Sequence, residues 1–119
     1  MIRRAVNGEV IAMTVFELND DELFVALLTR NDDDGVRELG YADFTDFDAA
    51  RAWADDSIRD AVNTGGDGWD YRVDVVRSDR DEFESDRWGV DADSIVARAG
   101  WDRAGKSVTW QTDGPFAGL

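Results

Sequence analysis

Apolar and polar positions along this chain follow two different periods, and the change from one to the other falls near residue 45. A step of 100° per residue from Phe47 gathers Phe47, Ala50, Ala54, Ile58, Ala61 and Val62 into one arc, with Trp53 at its margin. Asp48, Asp55, Asp56, Arg59 and Asp60 fall on the opposite side. The spacing predicts an amphipathic helix over 45–63, and the rest of the chain reads as cover for its apolar face. Thr45 is the expected N-cap, with Asp48 three residues on as the acidic partner of a capping box. Gly65-Gly66 is the expected stop, because glycine takes a left-handed conformation without a Cβ clash.

Before the helix the period is that of strands. Residues 9–18, 22–30 and 36–41 read as a three-strand meander, with turns at Asn19-Asp20-Asp21 and at Asn31 to Gly35. The first two strands are apolar on both faces: Val10, Ala12, Phe16 and Leu18 against Ile11, Met13 and Val15; Leu23, Val25 and Leu27 against Phe24, Ala26 and Leu28. Strands of that kind are covered on both sides. A helix over 9–18 or 22–30 fits the same apolar runs, but the β-branched and aromatic residues and the close turns favour strand.

After the helix, 69–77 alternates: Trp69, Tyr71, Val73 and Val75 are apolar, and Asp70, Arg72 and Asp74 polar, so one face of this strand is expected to be wet. Ser78 to Asp93 reads either as a short helix capped by Ser78 and carrying Phe83, or as a loop ending near Trp88-Gly89. Segments 94–101 and 107–112 form a hairpin about Asp102-Arg103-Ala104-Gly105, which has Asp and Gly where a type I turn favours them. A helix over 93–103 is the competing reading. The tail from Gly114 to Gly118 is expected to be extended or mobile. With no repeat and no linker, the expected architecture is a single α+β domain over 1–119, a mainly antiparallel sheet packed against one principal helix.

Charge changes the picture of the solvent. The 119 residues carry 27 Asp plus Glu against 13 Lys plus Arg, a net charge of −14, and Lys106 is the only lysine. The hydrophobic content of 43% and the even spread of acids argue for a folded core instead of a disordered acidic tail. In these residues the composition resembles that of cytoplasmic proteins of salt-in halophiles such as haloarchaea, which implies a domain adapted to molar salt. Self-repulsion opposes folding in dilute buffer, and a Debye length of about 3 Å in 1 M salt screens it. With no basic apolar leader and no long apolar run, the expected compartment is the cytoplasm, with no membrane association. Nucleic acid is an unexpected partner because no basic footprint is visible.

The residue types also limit chemistry. The chain has no His and no Cys, which excludes histidine-based triads, thiolate nucleophiles and histidine- or cysteine-bearing zinc sites. Asn31 to Gly35 lacks the ligand spacing and distal glutamate of a calcium loop. Gly65-Gly66-Asp67-Gly68 follows a helix instead of opening one, so it is no phosphate loop. No cofactor, metal or catalytic residue is assigned. Of the five tryptophans, Trp53, Trp69 and Trp110 read as core. Trp88 and Trp101 lie in polar, glycine-bearing stretches near Arg87 and Arg98. Arg72, Arg87, Trp88, Arg98 and Trp101 are therefore the candidate ligand- or partner-binding residues, against the alternative that these aromatics fill a second small core beneath 78–93. Two function classes stand: a noncatalytic binding or interaction domain that meets a protein partner or itself as a homodimer, and a small carboxylate-dependent, cation-assisted enzyme.

Overall fold

The computed structural model describes residues 2–4, 10–12 and 16–116, with side chains from 16 onward. Its body is a five-stranded antiparallel sheet with one long helix laid across one face, an α+β fold. The strands are β3 (Glu22–Asp32), β4 (Gly35–Phe44), β5 (Asp70–Asp79), β6 (Ile95–Asp102) and β7 (Ser107–Gln111), in the order β4-β3-β5-β6-β7. Both β4 and β5 run antiparallel to β3, so they are parallel to each other, and helix α1 (Phe47–Gly65) carries the chain over β3 between them.

The N-terminal part differs from the expected meander. Of the strand read over 9–18, Val10–Ala12 forms β2, which pairs with β1 (Ile2–Arg4) in a separate two-stranded sheet, and residues 9 and 13–15 lie outside the described residues. Phe16 to Leu18 are not strand, and the Phe16 ring meets Phe47 with centroids 4.3 Å apart. The flank of β3 left open by this arrangement is taken by β5, in a ladder from Glu22↔Asp79 to Asn31↔Asp70. β3 is nonetheless buried on both faces, every residue from Leu23 to Thr29, as its continuous apolar run requires.

The hairpin from β3 to β4 turns at Asp33-Asp34, and Gly35 enters β4 with φ 110°, a conformation side chains disfavour. The Asp32 carboxylate accepts the Asp34 N–H at 2.9 Å and braces the turn. The cap of α1 is Asp46, not Thr45, because it is the Asp46 carboxylate that accepts the Ala49 N–H, at 3.2 Å. At the other end Gly66, φ 85°, donates its N–H to Val62 O at 2.8 Å, as the glycine pair predicted. Ala50, Ala54 and Ile58, one turn apart and fully buried, set the helix onto Phe24, Ala26 and Leu28 of β3 and Tyr71, Val73 and Val75 of β5.

The other sheet face holds a second, smaller cluster: Leu23, Val25, Val76, Ile95 and Phe116, with Phe83, Trp88 and Val90 packed against it. Here Ser78–Asp93 resolves into a short helix α2 (Arg80–Glu84), capped by Asp79 through the Asp81 N–H at 2.8 Å in place of Ser78, and a loop. One expectation is corrected on this face. The face of β5 expected to be wet is largely covered, since Asp74, Val76 and Ser78 are buried: β5 lies between β3 and β6 instead of at an edge, and Phe116 packs into the cluster. Of the tail expected to be extended or mobile over 114–118, Phe116 packs into this cluster, and residues 117–118 lie outside the described residues. Within segment 93–103, Ile95–Asp102 is strand and not helix, because Val73↔Ala99 and Val75↔Ala97 pair β6 to β5.

Candidate functional site

The sheet face opposite α1 carries three of the five candidate residues, Arg72, Trp88 and Arg98. Directly paired positions on β5 and β6 put Asp74 opposite Arg98, and the Arg98 Nε donates to Asp74 Oδ1 at 2.6 Å. Arg72, two residues before Asp74 on the same face, brings its Nε to 3.2 Å from Asp74 Oδ2. That second contact is close enough for Coulomb attraction but out of line for a hydrogen bond, so both atoms are buried without a hydrogen-bonding partner. Asp74 is 1% exposed at its side chain, while Arg72 and Arg98 keep 30% and 17%. Burying a carboxylate this deeply is tolerable only with cations beside it. The Arg98 guanidinium also lies 5.6 Å from the centre of the Phe116 ring, a cation–π distance.

Trp88 shares this face but sits at its β4 end, half-buried, with its ring 5.2 Å from Tyr41 and 6.0 Å from Phe83. It therefore belongs to the second small core. Arg87 is exposed in the loop after α2, held there through its backbone N–H to Glu82 O at 2.8 Å. Trp101 lies on the other face, paired with Val108 and packed against the cluster beneath α1, with its Nε1 buried and unpartnered. The fold thus brings Arg72 and Arg98 together, sets Trp88 on the same face, and separates Trp101 from all three. Trp53, Trp69 and Trp110 border the main core as read from the sequence; Trp110 Nε1 donates to Asp55 at 3.0 Å, and Arg30 stands over Trp69.

The residues that sequence reasoning passed over are on β4. Val36, Leu39 and Tyr41, 56%, 41% and 47% exposed, are the large hydrophobic side chains most open to solvent among the described residues. β4 is a terminal strand of the sheet, so among the described residues its outer main-chain groups have no neighbouring strand. A hollow lies along each of its faces. One, of about 510 Å³, is lined by Leu27, Glu38, Tyr41, Asp86, Trp88, Gly89 and Val90. The other, of about 390 Å³ on the helix side, has Leu28, Leu39, Gly40 and Trp53 in its wall. The signal available beforehand was that 36, 39 and 41 break strict alternation, which marks the register shift at Leu28/Thr29.

Two carboxyls are held below their ordinary values. Burial of Glu22 works against ionisation, but the Asn19 N–H at 3.0 Å and the Arg77 guanidinium outweigh it. For Asp32 the Asp34 N–H is the main cause, with Arg30 and Arg37 adding to it. Both groups brace strand ends. Among the described residues no three acidic side chains gather as a metal-ligand set, and no helix is long and apolar enough to cross a membrane. No protein family, curated protein or solved structure matches the chain.

Proposed function

We propose that this chain is a noncatalytic interaction domain of a salt-adapted cytoplasm, which pairs through the free edge of β4 with a second copy of itself. The observation that carries the reading is the coincidence on one edge strand of the exposed Val36, Leu39 and Tyr41 with a hollow on either side. An added strand forms main-chain hydrogen bonds along such an edge and sends alternate side chains to its two faces. Charge supports a second copy as the occupant. β4 carries Arg37 against Glu38 and Asp43, a net charge of −1, within a chain of net charge −14. Two copies can therefore meet at this strand with less acid-on-acid repulsion than α1, with Asp48, Asp56 and Asp60 exposed, would impose.

Light scattering on the purified chain in about 2 M KCl, where charge is screened to a few ångströms, tests this directly. The expected result is a dimer that Leu39→Asp converts to a monomer without loss of fold. A wild-type chain that stays monomeric up to the solubility limit would overturn the dimer. The salt adaptation has its own measurement: melting temperature should climb between about 0.1 and 3 M KCl as repulsion is screened, and a flat profile would contradict it.

A further inference from the structure

We propose that the hollow between β4 and the loop after α2 binds an organic cation, a guanidinium or alkylammonium group. Its walls combine two features that suit such a group and few others. The Tyr41 and Trp88 rings stand 5.2 Å apart, tilted by 55°, and Phe83 packs against both at 6.2 and 6.0 Å, which fixes their orientation. Ring faces carry negative charge density and attract cations, most strongly for tryptophan. Glu38 and Asp86 line the same hollow, and no basic residue does.

Both carboxylates are exposed and, like those of Asp56 and Asp60 on α1, have no ion pair among the described residues. Asp32, Glu22, Asp70 and Asp74 all have arginine partners. The side chains of Glu38 and Asp86 make no ion pair or hydrogen bond among the described residues. An anion entering the hollow would meet two like charges, and a neutral apolar molecule would desolvate both without compensating either. A bare metal cation prefers several oxygen ligands, and no such set gathers here. A planar or tetrahedral organic cation stacks on the rings, meets the carboxylates at its periphery, and lays an alkyl stem against Leu27 and Val90. The site adjoins the proposed dimer edge through Glu38 and Tyr41 but does not depend on that edge being paired.

The test compares ligands that differ only in charge. N-acetyl-arginine methylamide, its neutral isostere N-acetyl-citrulline methylamide, and tetramethylammonium are titrated into the full chain in about 2 M KCl, following the indole NMR signal of Trp88. The arginine derivative, tetramethylammonium or both should give a saturable shift at Trp88, with the citrulline derivative about tenfold weaker. Which of the two cations binds distinguishes a partner's side chain from a free small cation. Glu38→Gln and Asp86→Asn, both at exposed positions, should each weaken binding by about threefold. Equal binding of the arginine and citrulline derivatives, or no saturable shift at Trp88 with any probe, would overturn the site. Light scattering on the same samples separates the two readings: a dimer with no cation response removes this site alone, and a monomer that binds the cation leaves it standing.

Discussion

Asp74→Asn probes the least exposed charge among the described ion pairs. The substitution preserves shape and still leaves an oxygen to accept the Arg98 Nε–H, but it removes the negative charge that Arg98 meets at 2.6 Å and Arg72 at 3.2 Å. Two guanidiniums on adjacent strands then repel each other across a neutral amide. Breaking a fully buried pair costs about 3–5 kcal/mol. Arg72 and Arg98 are 30% and 17% exposed and can swing partly into water, so the expected loss is smaller, about 2–3 kcal/mol. For a chain of this size that lowers the melting temperature by about 6–15 °C. Urea unfolding in high KCl gives the free energy without adding a charged denaturant. Asp60→Asn, on the exposed side of α1, is the control and should change stability by less than about 0.5 kcal/mol. The Asp74 penalty should persist as KCl is raised, because salt screens a buried pair far less than a surface one. Arg98→Leu in the Asp74→Asn background should recover part of the loss, since the repulsion then has only one member. The reasoning fails if Asp74→Asn costs no more than Asp60→Asn, or if its cost disappears with salt.

Other substitutions examine the two cores and the strand ends. Ile58→Ala should cost about 2–5 kcal/mol through the cavity it leaves between α1 and the sheet, whereas Asp56→Ala on the solvent side should cost well under about 1; similar losses in urea unfolding would mean the helix face is misassigned. Phe116→Ala should cost about 2–4 kcal/mol, because the ring is 9% exposed and closes the second cluster; an unchanged urea midpoint would show that the tail carries no stability. Glu22 and Asp32 have folded values depressed below their ordinary 4.5 and 3.8, so their stabilisation is complete above those values and is lost as pH falls through the lower folded ones. Glu22→Gln and Asp32→Asn should each flatten the fall in stability below about pH 4.5, and carboxyl NMR titrations placing either group at or above its ordinary value would contradict this.

What the sequence made legible was whatever depends on local pattern. The helix could be placed because Ala50, Ala54 and Ile58 recur on one face and Gly65-Gly66 stops it, and the last hairpin because Asp102 and Gly105 sit where a turn wants them. The cap moved by one residue, from Thr45 to Asp46, because two adjacent side chains could each cap and only backbone geometry chooses between them. Which strand flanks β3 was not legible. Residues 9–18 and 70–79 both offer apolar strands, and the choice of β5 depends on a crossover by α1 that no short window contains. The anchoring of Phe116 was not legible for a similar reason: it lies in a stretch without periodicity and has its partners, Leu23, Val76 and Ile95, on three distant strands. The candidate site was legible in part. Arg72, Asp74 and Arg98 share a face by strand parity, but Trp101 lies one pleat out of phase with Arg98 and faces α1, an assignment that follows once 94–101 is strand. Tyr41 and Glu38 were invisible as a pair with Trp88 and Asp86, since nothing in the sequence brings residue 40 to residue 88.

The composition acquires a spatial meaning once the ion pairs are located. Arg30, Arg72, Arg77 and Arg98 meet Asp32, Asp74 and Glu22 along the sheet, where the pairs are partly or wholly shielded from water. A sizeable share of the positive charge is therefore committed to carboxylates of the sheet and its first turn. The outer face of α1 and the turns at Asp20-Asp21, Asp33-Asp34 and Asp91 to Asp93 are left acidic and exposed. Repulsion is thus concentrated on surfaces that salt reaches, while the attractive pairs sit where salt has less effect. Raising the salt concentration should then remove more destabilisation than stabilisation, which links the −14 charge of this chain to a fold favoured in concentrated salt. The hollow beside Trp88 keeps that acidic character through Glu38 and Asp86 and adds aromatic surface to it, while β4 adds the exposed Val36, Leu39 and Tyr41, so these two places differ from the rest of the acidic surface in apolar area and not in charge.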